Sequence, residues 1–124
     1  MIKLLIPLCL FLLSCSSAQY IETNLYFGQS KPDGGMITER EWDNFKETYI
    51  SKVFKEGSSV TAISGNWYDT AARKLITEPT YMVSYYYKRS QVISKQIDSL
   101  CNWYKILFNQ QSVLRVDKKV KAHF

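Results

Sequence analysis

An α+β sandwich, a four-stranded antiparallel sheet with two helices on one face, is the fold class this sequence predicts. Three observations predict it. Stretches of strand-like alternation occur early, twice in the middle and at the end. Two long stretches between them repeat apolar residues at three- and four-residue spacing, and turn-forming residues separate neighbours. Strand, helix, two strands, helix, strand is the βαββαβ order of a ferredoxin-like fold.

The first strand is read at Thr23–Phe27, ending at Gly28, with Lys31-Pro32-Asp33-Gly34-Gly35 as strong turn chemistry. Thr38 followed by Glu41 is a capping box, in which each side chain satisfies a first-turn backbone donor. Ile37 and Trp42 are spaced for a hydrophobic staple, and Trp42, Phe45, Tyr49 and Val53 form one apolar stripe. Val60–Trp67 predicts the second strand and Tyr68–Ala72 a turn. Lys74–Lys88 predicts the third strand, in which Pro79 lacks a ladder donor and so implies an edge or a bulge.

The second helix is expected over Ser90–Phe108. Ile93, Ile97, Leu100, Cys101, Tyr104, Leu107 and Phe108 share its inner face, and Asn109 suits a left-handed cap. Ser112–Val116 closes the sheet. In Tyr81–Tyr87 both alternating sets are largely apolar or aromatic. A sheet face open to water alternates to polar residues, so something is expected to cover the face without helices.

The beginning of the chain carries an address. Lys3 precedes the ten-residue apolar run Leu4–Leu13, too short for the roughly 20 residues of a membrane-spanning helix. It reads as a signal-peptide core. Leu12-Leu13-Ser14-Cys15 resembles the bacterial lipobox, whose cysteine thiol accepts lipid and becomes the new N-terminus. The competing reading is ordinary secretion with cleavage after Ser16-Ser17-Ala18. The expectation is therefore a signal peptide over residues 1–14, a lipidated tether over 15–22, one domain over 23–119 and a tail over 120–124. Palmitate on Cys15 would anchor the protein to a membrane of the bacterial envelope, at the outer membrane or the periplasmic face.

Cys9 falls in the discarded segment and Cys15 carries lipid, so Cys101 alone cannot form a disulfide. Loss of Lys3 leaves fifteen basic against eleven acidic side chains. The basic residues are dispersed and no nucleic-acid motif accompanies them. The run Lys118-Lys119-Val120-Lys121 reads as a solvated tail, or as a contact for anionic headgroups.

Leu25-Tyr26-Phe27-Gly28, Lys31-Pro32-Asp33-Gly34-Gly35, Trp42 with Phe45, Glu78-Pro79 and Gln110–Val116 together resemble the bacterial domain-of-unknown-function family numbered 3574. The resemblance runs from about residue 23 to residue 117. It implies an exported domain and supplies no activity.

His123 is the only histidine, so neither a Ser–His–Asp set nor a metal cluster is read, and no cofactor is expected. The turn at Ser30–Gly35 reads as structural, because Glu41 occupies the helix start that an anion would need. Glu78 and Arg115 stand among apolar neighbours, where an unpaired charge is costly. They are expected to form an ion pair fixing sheet register, or a polar ligand site with Tyr26, Trp67 and Gln110 on the helix-free face. The functional reading is a non-enzymatic binding or assembly module, with a homodimer through that face. The alternatives are an anionic small-molecule binder and a cofactor-free enzyme of the dimeric α/β-barrel kind.

Overall fold

The computed structural model describes residues 19–124; the export segment, the lipobox and Cys15 lie outside the described residues. Strand β1 (Tyr20–Gly28) is followed by α1 (Glu39–Phe45), a π-helical turn (Lys46–Ile50) and α2 (Ser51–Val53), which run on as one helical segment. Strands β2 (Ser59–Asp69) and β3 (Lys74–Lys88) form a hairpin, then come α3 (Gln91–Phe108) and β4 (Leu114–Val120). The antiparallel sheet has the order β2-β3-β1-β4, the ferredoxin-like arrangement that the element order predicts. No helix among the described residues is long and apolar enough to cross a membrane.

Helix ends follow their sequence signals. Thr38 Oγ1 accepts from Glu41 N–H at 3.2 Å while Glu41 Oε2 accepts from Thr38 N–H at 2.8 Å. Lys31 closes on Glu41 at 2.9 Å, so the turn before α1 is tied down. Asn109 ends α3 in the left-handed conformation, as its position predicts.

The π turn changes which residues are buried. Ser51 N–H bonds to Lys46 O, five residues back, so the inward face advances by one position. Trp42 and Phe45 are followed inward by Ile50 and Phe54, while Tyr49 and Val53 are only partly buried. The regular stripe expected from 3.6-residue spacing is corrected accordingly. On α3, Ile97, Leu100, Cys101 and Tyr104 are buried as expected, but Leu107 is exposed, because it lies at the edge of the stripe while Phe108 carries on the inward direction to the core.

The core lies between this helical layer and the inward residues Leu25, Phe27, Val83, Tyr85 and Tyr87. Phe27 meets Tyr104 at 4.7 Å, Trp42 stacks on Tyr81 at 4.7 Å, and Phe54 on Tyr85 at 4.0 Å. Such aromatic pairs stabilise by about 0.5–1.5 kcal/mol each beyond the area they bury.

Pro79 sits in β3, an interior strand, without a bulge. Its missing donor points beyond the end of β1, where the ladder has stopped at Gly28 opposite Thr80. Pro79 O still accepts from Gln29 N–H at 3.0 Å, and Gln29 O takes Ile37 N–H instead at 2.8 Å. The local edge satisfies the proline. At the opposite end β1 starts at Tyr20, inside the expected tether, and Lys118–Val120 pair with Tyr20–Glu22 rather than trailing as a tail.

Candidate functional site

Parity along each strand decides what faces away from the helices. Thr23, Leu25 and Phe27 are buried inward, so Tyr20, Glu22, Asn24 and Tyr26 face outward. The register sets beside them Met82, Ser84 and Tyr86 on β3, Leu114, Val116 and Lys118 on β4, and Thr61, Ile63 and Trp67 on β2. Trp67, Tyr86, Leu114 and Val116 are 42–58 % exposed, an apolar scatter across three strands of one face. Tyr26 and Trp67 thus stand on the helix-free face.

The polar groups of this face largely satisfy one another. Ser84 Oγ donates to Asn24 Oδ1 at 2.6 Å, Asn24 Nδ2 donates to Glu22 Oε1 at 3.0 Å, and Lys118 lies 3.4 Å from Glu22. The Asn24 hydrogen bond, with the Lys118 charge, holds the Glu22 carboxyl below the ordinary glutamate range. A partner covering this band need not supply new hydrogen bonds.

Two glycines flatten the far end of the same face. A Cβ at Gly28 would stand 2.9 Å from Glu78 Oε1, and one at Gly65 would stand 2.7 Å from Thr80 Oγ1. Glu78 crosses beneath Gly28 and accepts from Ser30 N–H at 3.2 Å.

Glu78 and Arg115 do not form the expected pair. Leu114 faces outward, so the adjacent Arg115 faces α3, and β1 separates its strand from that of Glu78. Arg115 Nη1 donates to Asp98 at 2.7 Å and to Ser94 O at 3.0 Å, Nη2 donates to Ser94 Oγ at 3.0 Å, and Nε bonds Asp117 at 3.1 Å. It is 17 % exposed and clamps β4 to α3. Burial pulls its pKa down, and Asp117 and Asp98 outweigh that pull and raise it. Arg115 therefore cannot line the helix-free face. Gln110 is not there either: its Nε2 donates to Ser30 O and Phe108 O, tying the end of α3 to the loop after β1.

Residues that the sequence reading missed hold the interior polar contacts. Thr23 Oγ1 donates to Asp117 and lies 3.1 Å from the Tyr87 hydroxyl. Tyr104 donates to Gly28 O at 2.6 Å and accepts from Gln29 at 3.1 Å. One signal was present: Arg115 and Asp117, two apart in a strand, share a face.

At the Tyr20 end, Tyr20, Phe124, Ser59, Ser84, Tyr86 and Lys88 border a cleft of about 610 Å³. It opens because β2 pairs with β3 only as far as Ser84, leaving Tyr85–Lys88 without a partner strand on that side. Cys101 is buried, which pushes its thiol up to about 11, and His123 is exposed near the C-terminus. Among the described residues no three His, Cys, Asp or Glu side chains are grouped to hold a metal ion.

The model of the family described as protein of unknown function (DUF3574) matches residues 22–124. The chain belongs to this family. No curated protein matches it. Among solved structures, the family fold seen here is similar to a phage SAM lyase in complex with S-methyl-5'-thioadenosine, with a TM-score of 0.59 and 17% identity over 83% of this chain and 90% of that one. CutA from Synechococcus elongatus gives a TM-score of 0.52 at 12% identity, over 84% of this chain and 79% of that one. The B. subtilis GlnK–ATP complex gives 0.53 at 10% identity, over 84% of each chain. At such identities the likeness is one of fold.

Proposed function

We propose that the protein is a lipid-tethered, non-enzymatic assembly module of the bacterial envelope, in which the helix-free sheet face docks on the same face of a second copy. The observation that carries this is the exposed set Trp67, Tyr86, Leu114 and Val116 beside a polar band that is already internally bonded. Four strands about 4.8 Å apart, taken over the nine residues of β1 at about 3.3 Å each, give a face of roughly 20 by 30 Å. With side-chain relief, that approaches the roughly 800 Å² per partner of a standard interface.

The tether favours the same chain as partner. Lipid on Cys15 confines all copies to one surface and raises their effective concentration. It also brings the Tyr20 end of every copy close to the membrane, which sets the two-fold axis along the membrane normal. Glu22 with Lys118 leaves the band without net charge, so like charges do not oppose the contact.

Cross-linking in membranes tests the reading. Val116→Cys places one reactive thiol on the face, because lipid occupies Cys15 and Cys101 is buried. A short bismaleimide should yield dimer from Val116→Cys and not from Gln96→Cys on the exposed side of α3. Equal yields from both would contradict docking through this face. Labelled palmitate should mark the wild-type chain and not Cys15→Ala.

A second reading rests on the cleft beside Tyr20 and Phe124. Its volume falls within the range of small-molecule sites, and aromatic rings with Lys88 and Arg89 suit an anionic aromatic ligand. Two of the similar structures hold an adenine nucleoside or nucleotide. A rise in melting temperature with ATP, lost in Lys88→Ala, would support it; no rise at millimolar ATP would remove it.

A further inference from the structure

We propose that the Tyr20 end of the domain is an electrostatic footing for anionic phospholipid headgroups, a second contact with the membrane besides the lipid. The inference rests on the lipoprotein reading above. Antiparallel pairing gathers cations here from two distant parts of the chain. Lys88 lies opposite Tyr20, with Arg89 next to it, and on the other side Lys119 lies opposite Ile21. Lys121 follows directly after β4. All four are exposed, and none forms an ion pair among the described residues. Lys118 adds a fifth positive charge, which Glu22 meets.

The other end of the sheet has no such excess. There Asp33, Glu39, Glu41, Asp69 and Glu78 are interspersed with Lys31, Arg40, Arg73 and Lys74. The mild positive charge of the mature chain is thus concentrated at one pole.

That pole is the one the tether brings to the bilayer. From Cys15 to Tyr20 the chain reaches at most about 17 Å, at roughly 3.5 Å per residue. The cations therefore stay within about two Debye lengths of the headgroup plane at physiological salt. Phe124, 95 % exposed, rests against Tyr20 with ring centroids 5.6 Å apart. Aromatic rings beside cations suit the membrane–water interface. A long-range field with no fixed stereochemistry selects for charge density, so the partner is an anionic lipid surface rather than one particular headgroup.

Residues 19–124 contain the four strands, the helices and the core of the described residues, so this domain should fold without the lipid, which its melting curve checks. Its co-sedimentation with vesicles isolates the footing from the anchor. The domain should pellet with phosphatidylcholine vesicles containing phosphatidylglycerol, and not with phosphatidylcholine alone. The affinity should fall steeply with added salt. Lys119→Glu/Lys121→Glu should weaken binding at least about 25-fold, near fivefold for each lysine removed. Arg40→Glu/Lys74→Glu makes the same change in net charge at the other end and should weaken it far less. No binding to phosphatidylglycerol at low salt, or equal losses from the two variants, would overturn the proposal. Loss of palmitate labelling in the full chain strikes the lipoprotein reading instead, so the two failures are distinguishable.

Discussion

Tyr85 and Tyr86 are neighbours in β3 and opposite in fate. Tyr85 is buried, stacks on Phe54 at 4.0 Å and donates to Glu56 at 2.6 Å. Tyr86, one residue on, stands half in solvent on the other side of the sheet. The same contrast separates Leu25 from Tyr26 and Arg115 from Leu114. Folding this domain requires only one apolar face. The second is surplus to the core, and under the proposed docking it is the face that a second copy would cover.

The largest test of that contrast is truncation on each face. Phe27→Ala, at the centre of the aromatic cluster, should cost about 3–5 kcal/mol in a denaturant titration. Tyr86→Ala should change the stability of the dilute monomer by less than about 0.5 kcal/mol. A comparable loss from Tyr86→Ala would mean that the outer face is held within the monomer after all.

Next comes the clamp between β4 and α3. Arg115→Met removes the guanidinium from Asp98, Asp117 and the Ser94 carbonyl, leaving Asp117 only the Thr23 hydroxyl, and should cost about 2 kcal/mol, reduced from the full buried-pair value by partial exposure. Arg115→Lys should recover little, because an ammonium cannot reach acceptors on three sides from a planar fork. Full stability in the lysine variant would show that charge alone matters there.

Smaller effects concern titration. Burial raises the Cys101 thiol to about 11, so thiol reagents should leave it unmodified at neutral pH and label it only on unfolding. Rapid labelling of the native domain would show that the core opens at α3. Glu22, Glu41 and Glu56 have carboxyls held below the ordinary value of 4.5, first by hydrogen bonds from Asn24, Lys31 and Tyr85 respectively. With lowered native pKa values, their stabilisation is present above 4.5 and fades as pH falls through the native values. Melting temperature should therefore drop only slightly in that acid window, since Glu56 is exposed, Glu41 is partly so, and Glu22 alone is mostly covered. A steep drop there would point to a buried acid elsewhere.

Much of the architecture was legible because local signals agreed with one another. The capping box at Thr38 and Glu41, the αL cap at Asn109 and the inward set of α3 up to Tyr104 all stand where pattern and cap chemistry place them. The apolar outer face was legible too, since Tyr81–Tyr87 is apolar in both alternating sets. The site was less so. Pairing Glu78 with Arg115 required strand order and facing together, and one residue of parity sends Arg115 to α3. The π turn at Lys46–Ile50 had no sequence signature, since the apolar spacing from Trp42 to Val53 fits an unbroken 3.6-residue helix. Strand ends at Tyr20 and Val120 escaped because each takes its conformation from the other.

The claim that the helix-free face binds a second copy is tested most directly by sedimentation of residues 19–124 over a rising concentration series. The wild-type domain should move from monomer to dimer as concentration increases. Leu114→Lys/Val116→Lys, with two exposed charges on the face and the core untouched, should keep its melting temperature and remain monomeric throughout. A wild-type domain that stays monomeric at the highest concentration, or a double variant that dimerises as well as the wild type, contradicts the account.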